Sequence, residues 1–355
     1  MASLAAFIPP LTDGSVPLDA AVDFHLQHNP KHVFAVLYDI GSRSQTDITY
    51  EQLGHAVHRA AQILNPGATI PQGTNLGVLI SADTITYITL ILGAIRAGLV
   101  PFPISPRTQI EGIAHLFSET RTSRVLLGGG PMIDQLYKQV DELLKDQSFK
   151  LESIPIPSFG DLYPHLGQEP NTNSLAFEKF PTLEPTTSKP TVVILHSSGS
   201  TGLPRAVPYD QEGVFKNIIN QRYTPVLFAP RSEPVVPTPD LTLQALSETD
   251  CETTLAWPAF LEAWAEDQEA ISRLKRLKAI LFGGGPLAER IGDHLVTNGV
   301  NIQIGYAGTE FGAGNHACPP GYDPRDWIYF QFSSQMNVKL VPQYDEQGSH
   351  EVYFL

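Results

Sequence analysis

The chain has 355 residues, a length that allows two or three lobes with a hydrophobic core each. Hydrophobic residues make up 42% and charged residues 17%, a composition typical of folded globular proteins and not of disordered ones. The formal net charge of -14 would repel nucleic acid, so we expect no nucleic-acid partner. A small phosphate ligand is still compatible, because local N–H groups and one cation suffice to bind it.

The cysteines and the apolar runs bear on the cellular compartment. Cys251 and Cys318 have no spacing for a metal site or a disulfide framework, which fits a reducing interior. Residues 1–11 lack the basic region of a secretory signal. Charged residues interrupt the longest apolar region, 76–104, too often for a membrane span. We therefore expect a cytoplasmic protein with no membrane partner.

The first part of the chain alternates between helix and strand patterns. A capping box of Thr49 and Gln52 predicts a helix with apolar residues at helical spacing through Leu64. The elements predicted next are a strand over 76–80, a helix over 85–97 ended by Gly98, a strand over 99–104, a helix from a capping box of Thr108 and Glu111 to Phe117, and a strand over 124–127. Strand, helix, strand implies parallel crossovers in a doubly wound sheet.

Seven prolines between residues 155 and 190 predict a boundary between two lobes, 1–185 and 186–355. The elements predicted after it are a strand over 191–195, a helix over 212–220, a strand over 279–282, a helix over 287–297 and a strand over 302–305. The predicted fold class is α/β, with two doubly wound α/β sublobes and some β structure at the C-terminal end.

The most informative stretch is VVILHSSGSTGLPR, residues 192–205, in which a buried strand runs into a loop of glycines and hydroxyls. Glycines let successive backbone N–H groups converge on an anion, and the hydroxyls add donors. The candidate phosphate ligands are Ser198, Gly199, Ser200, Thr201, Gly202 and Arg205. The loop lacks the lysine of a Walker motif. A Ser/Gly-rich surface turn is the alternative, and His196 before it either lines the pocket or is structural.

The order S-S-G-S-T-G-x-P followed by a cation resembles the phosphate-binding loop of the adenylate-forming superfamily, which includes acyl-CoA synthetases, luciferases and peptide-synthetase adenylation domains. The resemblance implies activation of a carboxylic acid as its acyl-AMP, with ATP and Mg²⁺ as cofactors. It also implies CoA or a phosphopantetheine carrier domain as acyl acceptor. The motifs are most similar to the first domain of fungal peptide-synthetase-like reductases.

Two further motifs follow in the order of that family. AILFGGGPL, residues 279–287, resembles the turn that lies against adenine, which implies roles for Gly283, Gly284, Gly285 and Pro286. A simple tight turn is the alternative, and GGGP also occurs at residues 128–131, outside the family's order.

YAGTEFG, residues 306–312, resembles the aromatic-G-x-T-E motif of the family. The resemblance implies that Tyr306 stacks on the base, that Thr309 meets a phosphate and that Glu310 binds Mg²⁺, so that Thr309 and Glu310 are the catalytic candidates. A solvated loop is the alternative for Glu310. Ala307 replaces the family's glycine, and we expect its methyl group to crowd the loop.

The sequence also departs from the family pattern. The segment between Arg205 and Gly283 is short, which predicts that part of the acid pocket is absent. The family's ribose-binding aspartate and its C-terminal domain with a catalytic lysine have no counterpart here, so a truncated, non-catalytic nucleotide-binding remnant is the alternative to an active ligase. A kinase-like use of the Ser/Gly loop is a third hypothesis, but neither a catalytic aspartate loop nor a Walker lysine supports it.

Overall fold

A computed structural model of the chain describes residues 6–10, 16–145, 149–164, 166–167, 178–184, 190–197, 202–212, 214, 223–316, 319, 321–333, 336–344 and 348–354. Cα packing divides the chain into two units, Met1–Val235 and Val236–Leu355, here called unit 1 and unit 2. The sublobes predicted from the prolines have a different boundary, and that boundary stays a prediction.

Unit 1 contains a parallel sheet and smaller strand pairs. Its strands are β1 Val33–Tyr38, β2 Gln45–Thr49, β3 Asn75–Ile80, β4 Val100–Pro103, β5 Arg124–Gly128, β6 Glu152–Pro155, β7 Thr191–His196, β8 Ala206–Asp210 and β9 Val226–Phe228. The parallel sheet has the order β4-β3-β5-β6, β1 lies between β2 and β9, and β7 pairs antiparallel with β8. The predicted strands over 76–80, 99–104, 124–127 and 191–195 are confirmed.

Alternate residues of β3 face two hydrophobic cores. The helices of unit 1 are α1 Ala21–His28, α2 Tyr50–Leu64, α3 Thr84–Arg96, α4 Ile110–Thr120, α5 Pro131–Lys145 and α6 Phe159–Leu162. Leu76, Val78 and Ile80 pack in a core with α2 and α3, whereas Leu79 packs in a core with α4 and α5. Because side chains alternate along a strand, helices cover both faces of the sheet, which is the predicted doubly wound arrangement.

The helix ends show which local signals were reliable. Thr49 and Gln52 form the predicted capping box of α2, and α3 ends before Gly98, whose φ is +76°. The second predicted capping box is wrong. α4 has Gln109 as its N-cap, without a side-chain cap bond, because Thr108 still belongs to the preceding turn, where its N–H donates to the carbonyl of Ser105 (3.0 Å).

Unit 2 repeats the alternation on a smaller scale. Its helices are α7 Pro239–Glu248, α8 Pro258–Ala265, α9 Gln268–Leu274 and α10 Glu289–Thr297, and its strands are β10 Thr253–Ala256, β11 Ala279–Phe282, β12 Ile302–Ile304, β13 Ala307–Gly308, β14 Gly312–Ala313, β15 Val338–Pro342 and β16 His350–Phe354. The parallel sheet β10-β11-β12 confirms the predicted strands over 279–282 and 302–305. The helix predicted over 287–297 begins two residues later, and most of the helix predicted over 212–220 lies outside the described residues.

Each unit has its own hydrophobic interior. The described core of unit 2 joins its helices to β11 and β12 and contains Trp264 and Trp327, which are 2% and 3% exposed. In the described part of the chain, every helix is too short or too polar to cross a bilayer.

Candidate functional site

The predicted phosphate loop of unit 1 leaves β7 and returns to β8. Ser198, Gly199, Ser200 and Thr201 lie outside the described residues. The described ends of the loop are joined, because the N–H of Ser197 donates to the carbonyl of Arg205 and the N–H of Arg205 donates to Ser197 Oγ, both at 3.0 Å. The antiparallel pair β7–β8 therefore continues into a closed loop base.

His196 holds this base against the segment that follows β4. The N–H of Ser105 donates to His196 Nε2 (3.2 Å), so the ring proton lies on Nδ1, which donates to the carbonyl of Ser197 (2.9 Å). The ring also meets Phe102 edge-on, with centroids 6.4 Å apart. These bonds occupy both ring nitrogens and favour the structural alternative for His196. A nucleotide contact through it stays a prediction.

The end of the loop presents a cation. Pro204 is buried against α4, where a Cβ at Gly112 would lie 3.1 Å from its ring. Arg205 is exposed and has no ion-pair partner among the described residues. A Cβ at Gly202 would meet nothing within 4 Å. Among the described residues, the geometry thus leaves open space at Gly202 and a guanidinium without an ion-pair partner where the loop rejoins β8.

The glycine-rich turn of unit 2 follows β11 directly. The N–H of Gly305 donates to the carbonyl of Phe282 (2.6 Å), and a Cβ at Gly283 would lie only 2.7 Å from the carbonyl oxygen of Gly305. Gly284 has a φ of +82°, a conformation that favours glycine. Gly285 and Pro286 follow as exposed residues. Two of the three glycines are therefore required by the backbone itself.

Thr309 and Glu310 lie at the tip of a tight hairpin. Ala307 pairs with Ala313 and Gly308 with Gly312, so the strands β13 and β14 leave three residues in the turn. Glu310 is exposed, whereas Thr309 is half-buried. Ala307 is also exposed, and the expectation that its methyl group crowds the loop stays a prediction.

Tyr306 begins this hairpin and is fixed at its backbone and at its ring. Asn315 accepts from the N–H of Tyr306 and donates to the carbonyl of Ile304, both at 2.8 Å. The rings of Phe330 and Phe311 lie nearly parallel to the Tyr306 ring, with centroids 4.9 and 5.4 Å away. In unit 2 the structure thus brings Tyr306 and Gly283–Gly285 to the same edge of the parallel sheet, where β11 and β12 end.

Sequence reasoning missed several residues beside Tyr306. Asn315 and Phe330 are 9 and 24 positions further along the chain, and Trp327 belongs to the same run as Phe330, DWIYF, whose three aromatic residues were the available signal. Trp257 follows β10 and is 57% exposed, and its ring lies 3.7 Å from the Cβ position of Gly284. An exposed tryptophan next to a glycine turn can contact a flat or apolar ligand group.

Each unit has a cavity among its described residues. One of about 140 Å³ in unit 2 is lined by residues that include Ile304, Asn315 and Phe330, the neighbours of Tyr306. A larger one of about 590 Å³ in unit 1 is lined by Asp23, His55 and Lys179 among others. None of the predicted site residues lines the larger cavity, so cavity size does not identify the site here.

A protein family and several curated proteins match the sequence of this chain. A family model described as AMP-binding enzyme matches residues 23–232, more than half of the chain. Among curated proteins, the adenylate-forming reductase Nps11 of Serpula lacrymans is 30% identical over 98% of this chain, and a carboxylic acid reductase of Neurospora crassa is 24% identical over 81%. The chain covers 35% and 30% of these two relatives, about a third of their length.

Solved structures support the fold. The N-terminal domain of FACL13 from Mycobacterium tuberculosis has a TM-score of 0.69 at 17% identity, with 94% of this chain and 86% of that chain covered. The anthranilate CoA ligase AuaEII, solved in complex with anthranoyl-AMP, has a TM-score of 0.66 at 15% identity, with 94% and 66% covered. At these identities the similarity establishes the α/β fold alone.

Proposed function

Because the chain belongs to the AMP-binding enzyme family, we propose that it activates a carboxylic acid as its acyl-adenylate with ATP and releases pyrophosphate. The observation that carries this proposal is the edge of the parallel sheet in unit 2. There β11 leads into the turn Gly283–Gly285, and β12 leads to Tyr306 and then to the hairpin with Thr309 and Glu310.

We propose that the glycine turn and Tyr306 bind the adenine base. At Gly284 and Gly285 a Cβ would meet no atom closer than 3.7 and 4.0 Å, so the missing side chains leave space above the turn. A flat base can use that space and approach the backbone closely. Tyr306, whose position Asn315 fixes, supplies an aromatic surface at the same edge.

For the phosphates, we propose the loop with Ser198–Thr201 and the exposed Arg205. Backbone N–H groups and hydroxyls of such a loop donate to phosphate oxygens, and the guanidinium adds a cation without an ion-pair partner among the described residues. The net charge of -14 does not oppose this, since the contacts are short-range.

Magnesium fits the donor set around Glu310. Mg²⁺ is held in proteins by one or two carboxylates together with waters and substrate phosphates, and Glu310 is a single exposed carboxylate at a hairpin tip. When bound, the ion would neutralise charge on the leaving pyrophosphate.

The proposed step is an in-line displacement. A carboxylate oxygen of the acid bonds to the α-phosphorus, the bond from that phosphorus to the bridging oxygen of pyrophosphate breaks, and pyrophosphate leaves with the electron pair. No proton moves, so catalysis requires positioning and charge stabilisation rather than a general base. Thr309 and Glu310 would act on the phosphates, and Arg205 on the negative charge that shifts toward the leaving group.

For the acyl acceptor we propose a phosphopantetheine carrier thiol or CoA. The support comes from relatives named as adenylate-forming reductases and a carboxylic acid reductase, and from neighbours named as CoA ligases. The acid itself is proposed only as a class, a carboxylic acid.

The test uses the full chain in two assays on one sample. Calorimetric titration with ATP and Mg²⁺ measures binding, and acid-dependent exchange of labelled pyrophosphate into ATP, over a panel of aryl and aliphatic acids, measures adenylation. We expect binding and exchange with at least one acid class. Binding without exchange would reduce the function to nucleotide binding, and the absence of binding would contradict the proposal.

A further inference from the structure

Two consecutive residues of α10, Gly292 and Asp293, fix the position of Trp327 against this helix. A Cβ at Gly292 would overlap the indole ring, so only glycine leaves room for it. The Nε1–H of Trp327 donates to Asp293 Oδ1 (3.0 Å), and the side chain is 3% exposed. Glycine inside a helix is unfavourable relative to alanine by roughly 1 kcal/mol, so Gly292 is explained by the indole that it admits.

The segment after Trp327 leads directly to Tyr306. Its next two side chains, Ile328 and Tyr329, are exposed, whereas Phe330 is half-buried and its ring lies nearly parallel to that of Tyr306, with centroids 4.9 Å apart and an angle of 13°. Offset parallel rings at this separation attract each other beyond their burial. Trp327 and Phe330, three positions apart, thus connect α10 to the aromatic residue at the edge of the sheet.

A second link runs through the backbone. The N–H of His316 donates to the carbonyl of Gln331 (2.9 Å), and the N–H of Ser333 donates to the carbonyl of Gly314 (3.0 Å). Between Gly314 and His316 lies Asn315, which is bridged to Phe332 and whose side chain bonds the N–H of Tyr306 and the carbonyl of Ile304. The segment that follows Trp327 therefore meets Tyr306 through the ring of Phe330 and is hydrogen-bonded to the two neighbours of Asn315.

We infer that Trp327 is a positioning residue, which through Phe330 fixes the ring of Tyr306 in the orientation that receives the nucleotide base. The inference rests on the proposed function, since it assigns a role within base binding. Trp327 is buried against α10, and in this inference it acts on the base through Tyr306. Its effect should therefore depend on whether the ligand has a base and on whether Tyr306 is present.

The experiment is a double-mutant cycle on the full chain with two ligands, Mg-ATP and inorganic tripolyphosphate with Mg²⁺. Phe330→Leu keeps an apolar side chain and removes the stacked ring, so we expect the Kd of ATP to rise about fivefold with that of tripolyphosphate unchanged. In a Tyr306→Leu background the same change should matter less than about twofold, because its partner is gone.

Gly292→Ala tests the packing of Trp327 against α10. Its methyl group would displace the indole, and we expect the Kd of ATP to rise about fivefold again, with the Kd of tripolyphosphate unchanged. The matched control is Gly160→Ala in α6, where the new Cβ would meet only Ser158 Oγ at 3.7 Å and neither ligand should be affected.

The outcomes separate the inference from the function on which it rests. A wild-type chain that does not bind ATP overturns both. A wild-type chain that binds ATP, with additive effects of the two leucine variants or with equal losses for ATP and tripolyphosphate, overturns the role of Trp327 and leaves the proposed function intact.

Discussion

Three consecutive glycines at the candidate base site differ in what a side chain would meet. At Gly283 a Cβ would lie 2.7 Å from a backbone oxygen, and at Gly284 the φ of +82° disfavours any side chain. Gly285 has an ordinary φ and open space, with its nearest neighbour at 4.0 Å. The fold therefore accounts for Gly283 and Gly284, and only Gly285 is left for a ligand to explain.

This difference predicts opposite results for two matched substitutions. Gly283→Ala should lower the free energy of unfolding by about 1–3 kcal/mol, because backbone atoms would have to move apart. Gly285→Ala should change it by less than about 0.5 kcal/mol while raising the Kd of ATP, because its methyl group would stand where the base approaches. Urea titration followed by tryptophan fluorescence measures the first quantity and calorimetry the second. Equal stability of the two variants would contradict the assignment of Gly283.

Substitution of Glu310 should weaken the binding of Mg-ATP without changing the stability of the fold. Its carboxylate is exposed at the hairpin tip, so Glu310→Gln should leave the thermal midpoint unchanged. Loss of a charged ligand should raise the Kd of Mg-ATP about tenfold. Glu289→Gln, the same charge change at an exposed position of α10, is the control. If both variants bind Mg-ATP equally well, Glu310 is a solvated loop residue.

Among the elements of unit 1, a buried polar network joins three helices to the segment 178–184. His58 is fully buried, its Nε2 lies 2.8 Å from Asp23 Oδ1, and its Nδ1 accepts from the N–H of Phe180 (3.0 Å). Arg96 donates to the carbonyls of Phe180 and Pro181, both at 2.8 Å, and pairs with Asp23 at 3.3 Å. His58 and Arg96 thus share the carboxylate of Asp23 on α1.

The charge of Asp23 should be visible in the pH dependence of stability. Burial opposes that charge, but the hydrogen bonds from His58 and Lys179 and the nearby Arg96 outweigh it, so the pKa of Asp23 lies below its usual value. A carboxyl whose pKa is lower in the folded chain stabilises the fold above its unfolded pKa of about 3.9, and this contribution is lost as the pH falls through the folded value.

We therefore expect Asp23→Asn to lower the free energy of unfolding by about 2–4 kcal/mol at neutral pH, since Arg96 keeps its charge in a buried position without its partner. The deficit relative to wild type should shrink as the pH falls below about 4. Denaturation followed by far-UV circular dichroism measures it, with the exposed Asp47→Asn as control. A deficit independent of pH would show that the packing of Asp23, and not its charge, is what matters.

Local signals in the sequence predicted most elements, but not which distant side chains contact each other. The capping box of Thr49 and Gln52, the stop at Gly98 and the strand over 279–282 depend on residues within a few positions of one another, and all three are confirmed. Residues 128–131 show the limit of such signals. Their GGGP also follows a strand and opens a helix, α5, just as residues 283–286 lead from β11 towards α10.

Contacts between distant positions could not be read from one sequence. His58 and Phe180 are 122 positions apart, and Tyr306 and Phe330 are 24 apart, with no periodicity to connect them. The motifs predicted which residue types serve the candidate site. The residues that hold them in place, such as Asn315 and Trp327, emerged only from packing.

At the scale of the whole molecule, every hydrophobic core described in the chain falls within a single unit. The cores of unit 1 draw on residues up to 229, and the core of unit 2 draws on residues 243–327. The three tryptophans of the chain, Trp257, Trp264 and Trp327, all belong to unit 2. Tryptophan fluorescence therefore reports on unit 2, whereas far-UV circular dichroism reports on the helices of both units.

Separate cores predict that the chain does not unfold in one two-state transition. Leu295→Ala removes a fully buried side chain from the core of unit 2, and we expect it to lower the urea midpoint seen by fluorescence, with a loss of about 2–5 kcal/mol. Leu116→Ala, equally buried in unit 1, should shift the dichroism curve and leave the fluorescence midpoint in place. If each variant shifts the fluorescence curve and the dichroism curve by the same amount, the two units unfold together in one cooperative transition.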